Sequence, residues 1–428
     1  MKDYLSMTKE ELLAEKQSLE AQYKAYKDAG LSLDMSRGKP SADQLALAMP
    51  MLDVVDSKSV MENMAGLDTR NYGGLDGIVE AKHLMADLME VDPSHVIVYG
   101  NSSLNVMYDT VCRAVALGIM GSTPWGKLDE VKFLCPVPGY DRHFAITEHF
   151  GIKMINIPMT ESGPDMDMVE EYVNNDPTVK GIWCVPKYSN PEGVVYSTET
   201  VMRFANLKPA AADFRIFWDN AYAVHHLYDG TEPAEIPDII EECAKAGNPD
   251  MVFVFASTSK ISFAGGGIAA LASSEANLAD IKKSLTIQTI SFDKINQLRH
   301  ARFFVDKAGV MEHMHKHADL LRPRFAIVLD ALERDIAGTG AGSWLTPHGG
   351  YFITYKAMPG CATRVIALAK EAGVVMTGAG APFPYHKDPE DSIIRIAPSY
   401  PTCEDLKKAA DIFTVCARLA AVEKLLEA

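Results

Sequence analysis

Lys260 stands four residues beyond MVFVFA, behind three hydroxyl residues and ahead of three glycines, in FVFASTSKISFAGGG. An apolar run of that kind fills a buried strand, at whose end an unpaired ammonium is costly. Two readings are open. The lysine snorkels to solvent from a loop, or it is a nucleophile whose charge is removed by bonding to a carbonyl. Asp219 leaves another core strand in FRIFWDNAYAVHH, with Tyr222 three residues on. Such a carboxylate needs a cation or hydrogen bonds. Either a buried arginine supplies them, or Asp219 partners a protonated pyridine nitrogen with the Tyr222 phenol near a ring oxygen. Arg395 lies within the apolar IIRIAPSY and wants a bidentate carboxylate, from an internal acid or from a substrate.

Three further turns carry candidate groups. HVIVYGNSSLNVMYD ends a strand in Gly100, Asn101, Ser102 and Ser103 before a helix. That is an ordinary helix cap or a phosphate seat of amides and hydroxyls. Asn190 opens the turn NPEG in CVPKYSNPEGVVYS, and Tyr140 follows Pro138-Gly139 in CPVPGYDRHF. The first is a common turn element; the second is an exposed loop tyrosine or a ring that stacks on a planar ligand.

The elements that must position these groups alternate. From about residue 56 to 320, HVIVYG, VKFLCPVPGY, GIKMINIP, GIWCVPK, FRIFWDNAY and MVFVFASTSK are separated by helical patterns. The alternation predicts a mostly parallel α/β sheet with its chemistry at the carboxyl ends of the strands. Thr8 and Glu11 form a capping box for a helix running to Asp28 and stopping at Gly30. After about residue 300, long helical stretches lead into GSWLTPHGGYFITYKA, IIRIAPSY and a last helix, a smaller α/β unit placed to pack with the N-terminal helix.

At 428 residues the chain is long enough for two domains. The formal charge of −16 argues against a nucleic-acid partner and requires a local cationic cluster for any small acidic substrate. MKDYLSMTKEELLAEK has no apolar signal-peptide core, and no run reaches the length of a membrane span. Seven cysteines without metal spacing fit free thiols in a reducing cytoplasm, and no metal site is expected.

In order along the chain, Tyr72-Gly73-Gly74, the Gly100–Ser103 turn, Tyr140, NPEG, Asp219-x-x-Tyr222, Ser257-x-Ser259-Lys260 and Arg395 together resemble the fold-type I pyridoxal-phosphate (PLP) aminotransferases. MSRGKPS, YGNSSLNVMYD and NQLRHARFF are similar to the divergent type Ic aspartate aminotransferase group. The resemblance implies a seven-stranded, mostly parallel sheet in a large domain (56–319), with a small α/β domain built from 1–55 and 320–428. It implies that Lys260 holds PLP as a Schiff base and shuttles a proton, passing through a pyridoxamine form. Asp219 would keep the pyridine nitrogen protonated, with His143 behind it; Tyr222 and Asn190 would bond the ring oxygen and Tyr140 would stack on the ring. Asn101, Ser102, Ser103, Ser257 and Ser259 would serve the phosphate, with Tyr72 arriving from a neighbouring chain of a homodimer with shared active sites. Arg395 would clamp the substrate α-carboxylate beside the Gly38 amide.

The implied reaction is transamination between an amino acid, aspartate above all, and 2-oxoglutarate. Arg37, Arg70 and Lys294 are candidates for a distal carboxylate, with Arg37 the first choice. The rivals are a PLP-dependent lyase of the cystathionine β-lyase kind and a non-catalytic PLP-binding regulator. One position departs from the family pattern. Relatives carry an arginine eight residues after the lysine as a phosphate clamp, and here that position is Ile268.

Overall fold

A computed structural model describes residues 2–228 and 236–427. Its strands are β1 (Leu33–Asp34), β2 (Val96–Val98), β3 (Lys132–Val137), β4 (Lys153–Thr160), β5 (Gly163–Pro164), β6 (Val179–Cys184) and β7 (Arg215–Asp219). β8 (Val252–Ser257), β9 (Ala269–Ala272), β10 (Gly342–Trp344), β11 (Ile353–Ala357), β12 (Val374–Val375) and β13 (Ile393–Ile396) follow. The main sheet runs β2-β9-β8-β7-β6-β3-β4-β5. Its central members β4, β3, β6, β7 and β8 are parallel, whereas β9 pairs antiparallel with both β8 and β2.

Among the described residues this sheet has eight strands rather than seven. Gly163–Pro164 adds a two-residue antiparallel strand to the β4 edge. β9 reads Ala-Ala-Leu-Ala, small residues without the β-branched or aromatic signature of a strand, so sequence reasoning passed it over. The central strands alternate their side chains between two cores, as the period of two requires. Ile216, Trp218, Val252, Val254 and Ala256 face one core, and Phe217, Phe253, Phe255 and Trp183 face the other.

A third core joins the two ends of the chain. Leu12 and Leu19 of the helix Lys9–Asp28 pack with Phe413, Cys416 and Leu419 of the helix Cys403–Glu427. The Thr8–Glu11 capping box forms as expected and Gly30 ends the helix at φ +62°. Arg418 ties the helices by donating to Tyr4 and pairing with Glu15. β1 adds to β12 in parallel, Leu33 opposite Val374. The helix Lys307–Asp335 belongs to two cores at once, through Val310 and Met314 at one end and Phe325, Val328 and Leu332 at the other. Residue 320 therefore lies inside a continuous helix. No helix of the described residues is long and apolar enough to cross a membrane. The seven cysteines are free, and five of them are buried.

A buried ion pair ties the starts of β6 and β7. Lys180 Nζ lies 2.6 Å from Asp213 Oδ1, and Trp125 Nε1 donates to the other carboxylate oxygen at 2.8 Å. Asp213→Ala would strand the Lys180 ammonium and is expected to destabilise the fold by about 3–5 kcal/mol. Calorimetry would show it as a lower Tm, and an unshifted Tm would mean that solvent already screens the pair.

Candidate active site

Two cavities meet at the carboxyl ends of β6, β7 and β8. One, about 200 Å³, is lined by Ser102, Ser103, Tyr140, Asn190, Asp219, Tyr222, Ser257, Ser259 and Lys260 among others. Its larger neighbour, about 480 Å³, shares Tyr140, Asn190, Tyr222 and Lys260 and adds Arg37, Gly38, Asp141, Arg142, Phe352, Thr377 and Arg395. The fold thus gathers nearly all the candidate groups into one connected space.

Asp219 ends β7 and is only 2% exposed. Its Oδ2 lies 3.0 Å from His143 Nε2, while Oδ1 is buried without a protein partner. The expected alternative, an arginine in a buried pair, is not what the structure contains: a histidine takes that place. The His143 ring stacks on Trp183, 4.5 Å between centroids with the ring planes nearly parallel, and Trp183 in turn donates to Thr147. Tyr140 closes the other side, edge-on to His143 at 4.9 Å, and burial pushes its phenol up to about 12.

Lys260 is half-buried, with Nζ 4.9 Å from the centre of the Tyr222 ring. Burial lowers its pKa, and the nearby Asp219 charge only partly opposes this. The Tyr222 phenol is pushed well above its usual value by burial, so it stays a donor. Lys260 therefore does not snorkel away. It faces Asp219 across the smaller cavity with its charged form disfavoured, the setting of a nucleophilic amine.

The serines line the same cavity. Ser257 donates to Ser259 at 3.1 Å, and Ser259 to the Asn101 carbonyl at 2.8 Å. Asn101 reaches the Ala264 carbonyl only at 3.5 Å. Ser102 precedes the helix Ser103–Leu117 without a side-chain capping bond, which sets aside the ordinary-cap reading. The first amides of a four-turn helix, flanked by hydroxyls, favour an anion there. Ile268 is 1% exposed and belongs to the core with Ala256 and Ala270. Its backbone pairs with Thr258, so an arginine at this position would be directed into the core rather than onto an anion.

Arg395, in β13, is 7% exposed. Its Nη1 bonds Asp141 Oδ1 at 2.8 Å and Asn190 Oδ1 at 3.2 Å, its Nη2 reaches Thr377 only at 3.5 Å, and Phe352 lies beneath it. Of the two sources considered for its carboxylate, the internal acid is present. A Cβ on Gly38 would sit 2.3 Å from the Phe352 ring, so only glycine fits beside it. Arg37 is exposed and lines the larger cavity.

Three candidates are not brought to this space by the chain itself. Tyr72 is 75% exposed, Arg70 is paired with Asp68 at 2.8 Å, and Lys294 is buried, donating to Ser291 at 2.9 Å. Sequence reasoning missed Asp141, Arg142 and Thr377. The first two follow Tyr140 directly in GYDRHF, and their position on the first turn of the helix Asp141–His149 was the available signal.

These residues fit pyridoxal phosphate. An unpartnered buried carboxylate oxygen suits a protonated ring nitrogen, a half-buried amine suits an aldehyde, and the uncapped helix start with its serines suits a phosphate. Comparison with known proteins agrees. Residues 7–428 match the model of the family described as aspartate amino-transferase. An aspartate aminotransferase of Corynebacterium glutamicum is 45% identical over 408 residues, 95% of this chain and 94% of that one. A crystal structure of an aspartate transaminase from the same species superposes with a TM-score of 0.96 at 44% identity, covering 99% of both chains. An α-aminoadipate aminotransferase of Thermus thermophilus, 18% identical with a TM-score of 0.70 over 92% of this chain and 93% of its own, shares the fold.

The depressed Lys260 pKa leaves more neutral amine at pH 7 than a surface lysine holds. In cofactor-free protein, reductive methylation with formaldehyde is expected to modify Lys260 well ahead of exposed lysines such as Lys283. Peptide mass mapping over a time course reads this, and equal rates would contradict it.

Proposed function

The chain belongs to the aspartate aminotransferase family, and on that premise we propose that it moves the amino group of aspartate to 2-oxoglutarate with pyridoxal phosphate as its cofactor. The observation that carries the reading is Asp219. It is a buried carboxylate with one oxygen on His143 and the other free, facing a charge-disfavoured lysine in a space that also holds Arg395.

When bound, the cofactor supplies an electron sink for the substrate Cα. The chain's own residues do the rest. Asp219, held by His143, keeps the ring nitrogen protonated. Tyr140 would cover the cofactor ring, and Tyr222 and Asn190 would donate to its oxygen. Asn101, Ser102, Ser103, Ser257 and Ser259 hold the phosphate with the helix amides, so that no cation is needed at Ile268. Lys260 would hold the cofactor through its amine and, as a free amine, would carry the proton between the substrate Cα and the cofactor's carbonyl carbon. Arg395 and the Gly38 amide hold the α-carboxylate, and Arg37 reads the distal one. The enzyme works as a cytoplasmic homodimer in which the partner's Tyr72 completes the phosphate site. The exposure of Val60, Met64 and Tyr72 supports such an interface. The division into a large domain (56–319) and a small one (1–55 and 320–428) belongs to the same reading, supported by the core that joins both chain ends.

A coupled assay for oxaloacetate, with glutamate measured alongside, tests the activity. A 2-oxo acid released without glutamate formation would identify a lyase instead. Asp219→Asn is expected to bind the cofactor yet lose about a thousandfold or more in kcat, because an amide cannot hold the ring proton. A loss of only tenfold, about 1.4 kcal/mol, would make Asp219 structural. Arg37→Ala should lower kcat/KM for aspartate by more than for alanine, and equal losses would assign the distal carboxylate to another cation.

A further inference from the structure

Arg395 cannot offer a free bidentate edge to a ligand as the chain stands. Its Nε is buried and has no partner, so the side-on edge of the guanidinium is closed to the cavity. A carboxylate entering that space must use the end-on edge, Nη1 and Nη2. Nη2 is nearly free, with Thr377 at 3.5 Å. Nη1 is not. Asp141 Oδ1 holds it at 2.8 Å, and Asn190 shares it at 3.2 Å. Asp141 lines the same cavity, and its side chain keeps 25% of its surface exposed against 8% for Arg395. It is the more exposed member of the pair.

Resting on the proposed transamination, we infer that Asp141 is a displaceable internal carboxylate that occupies Arg395 until the substrate carboxylate replaces it. Two carboxylates on one guanidinium edge repel each other, so substrate entry turns Asp141 outward. Arg37 and Arg142 line the same cavity and hold no ion pair among the described residues. They give the displaced side chain a cation to meet. Asp141 also begins the helix Asp141–His149, where its charge favours the helix dipole whichever way the side chain points. Asp141 thus keeps Arg395 paired and in place. A ligand without a carboxylate has nothing with which to open it. Asp141 is a positioning residue that sets affinity through Arg395.

The test is a spectroscopic titration of the holoenzyme with succinate, a dicarboxylate carrying neither amino nor oxo group, beside steady-state kinetics with aspartate. Asp141→Asn and Asp141→Ser, both compatible with a helix start, are expected to bind succinate about fivefold more tightly, the scale of a partly exposed ion pair. KM for aspartate should fall in step while kcat does not rise. A purely structural role, holding Arg395 in place, moves binding the other way. Unchanged or weaker succinate binding in either folded variant overturns the inference. Wild-type amino transfer from aspartate is measured in the same series. Its absence would sink the proposed function, whereas an active variant with unchanged succinate affinity sinks only the role of Asp141.

Discussion

An ionised carboxylate at the end of a buried strand is stable only if its oxygens are occupied, and Asp219 has one oxygen that the chain leaves open. Much of the surrounding architecture answers to that carboxylate. β7 and β8 are parallel neighbours, with Asp219 opposite Phe255, so Lys260 emerges a few residues from the same sheet edge. His143 reaches Asp219 from the helix after β3 and is held by Trp183 of β6 and by Tyr140. Residues from four elements therefore converge on one charge.

The second half of the space depends on a different core. Arg395 is carried by β13, whose Ile394 and Ile396 pack in the core that joins both chain ends, while Ile393 packs in a core of the main sheet. Asn190 and Asp141 come from the large-sheet side and meet its guanidinium. The surroundings of Arg395 are thus assembled across two cores, while Lys260 and Asp219 sit on one. The helix Lys307–Asp335, packed into both, couples their relative placement.

Charge distribution follows the chemistry rather than the composition. A chain with a net charge of −16 concentrates Arg37, Arg142 and Arg395 around one cavity, with Asp141 as their internal counter-charge. The serine-lined part of the smaller cavity is built differently. Hydroxyls and the start of a helix suit an anion there, and the side chain at 268 is spent on the core.

The sequence by itself determined the strand–helix alternation, the capping box at Thr8, and the local settings of Lys260, Asp219 and Arg395. Each of these rests on short-range periodicity or on one residue type beside its neighbours. It also determined that Ile268 could not serve as a cation, since the residue type alone decides that. The β9 strand of small residues escaped this reading because its stability comes from pairing with β2 and β8, not from its own propensity. The resemblance placed His143 behind Asp219, but tertiary structure alone decided that Asp141 sits on Arg395 across 254 residues of chain and that Arg142 joins the cavity. It also left Arg70 on Asp68 and Lys294 on Ser291, away from the cavity they could have served. Which charge meets which is set by distances between remote elements, and no local pattern encodes those distances.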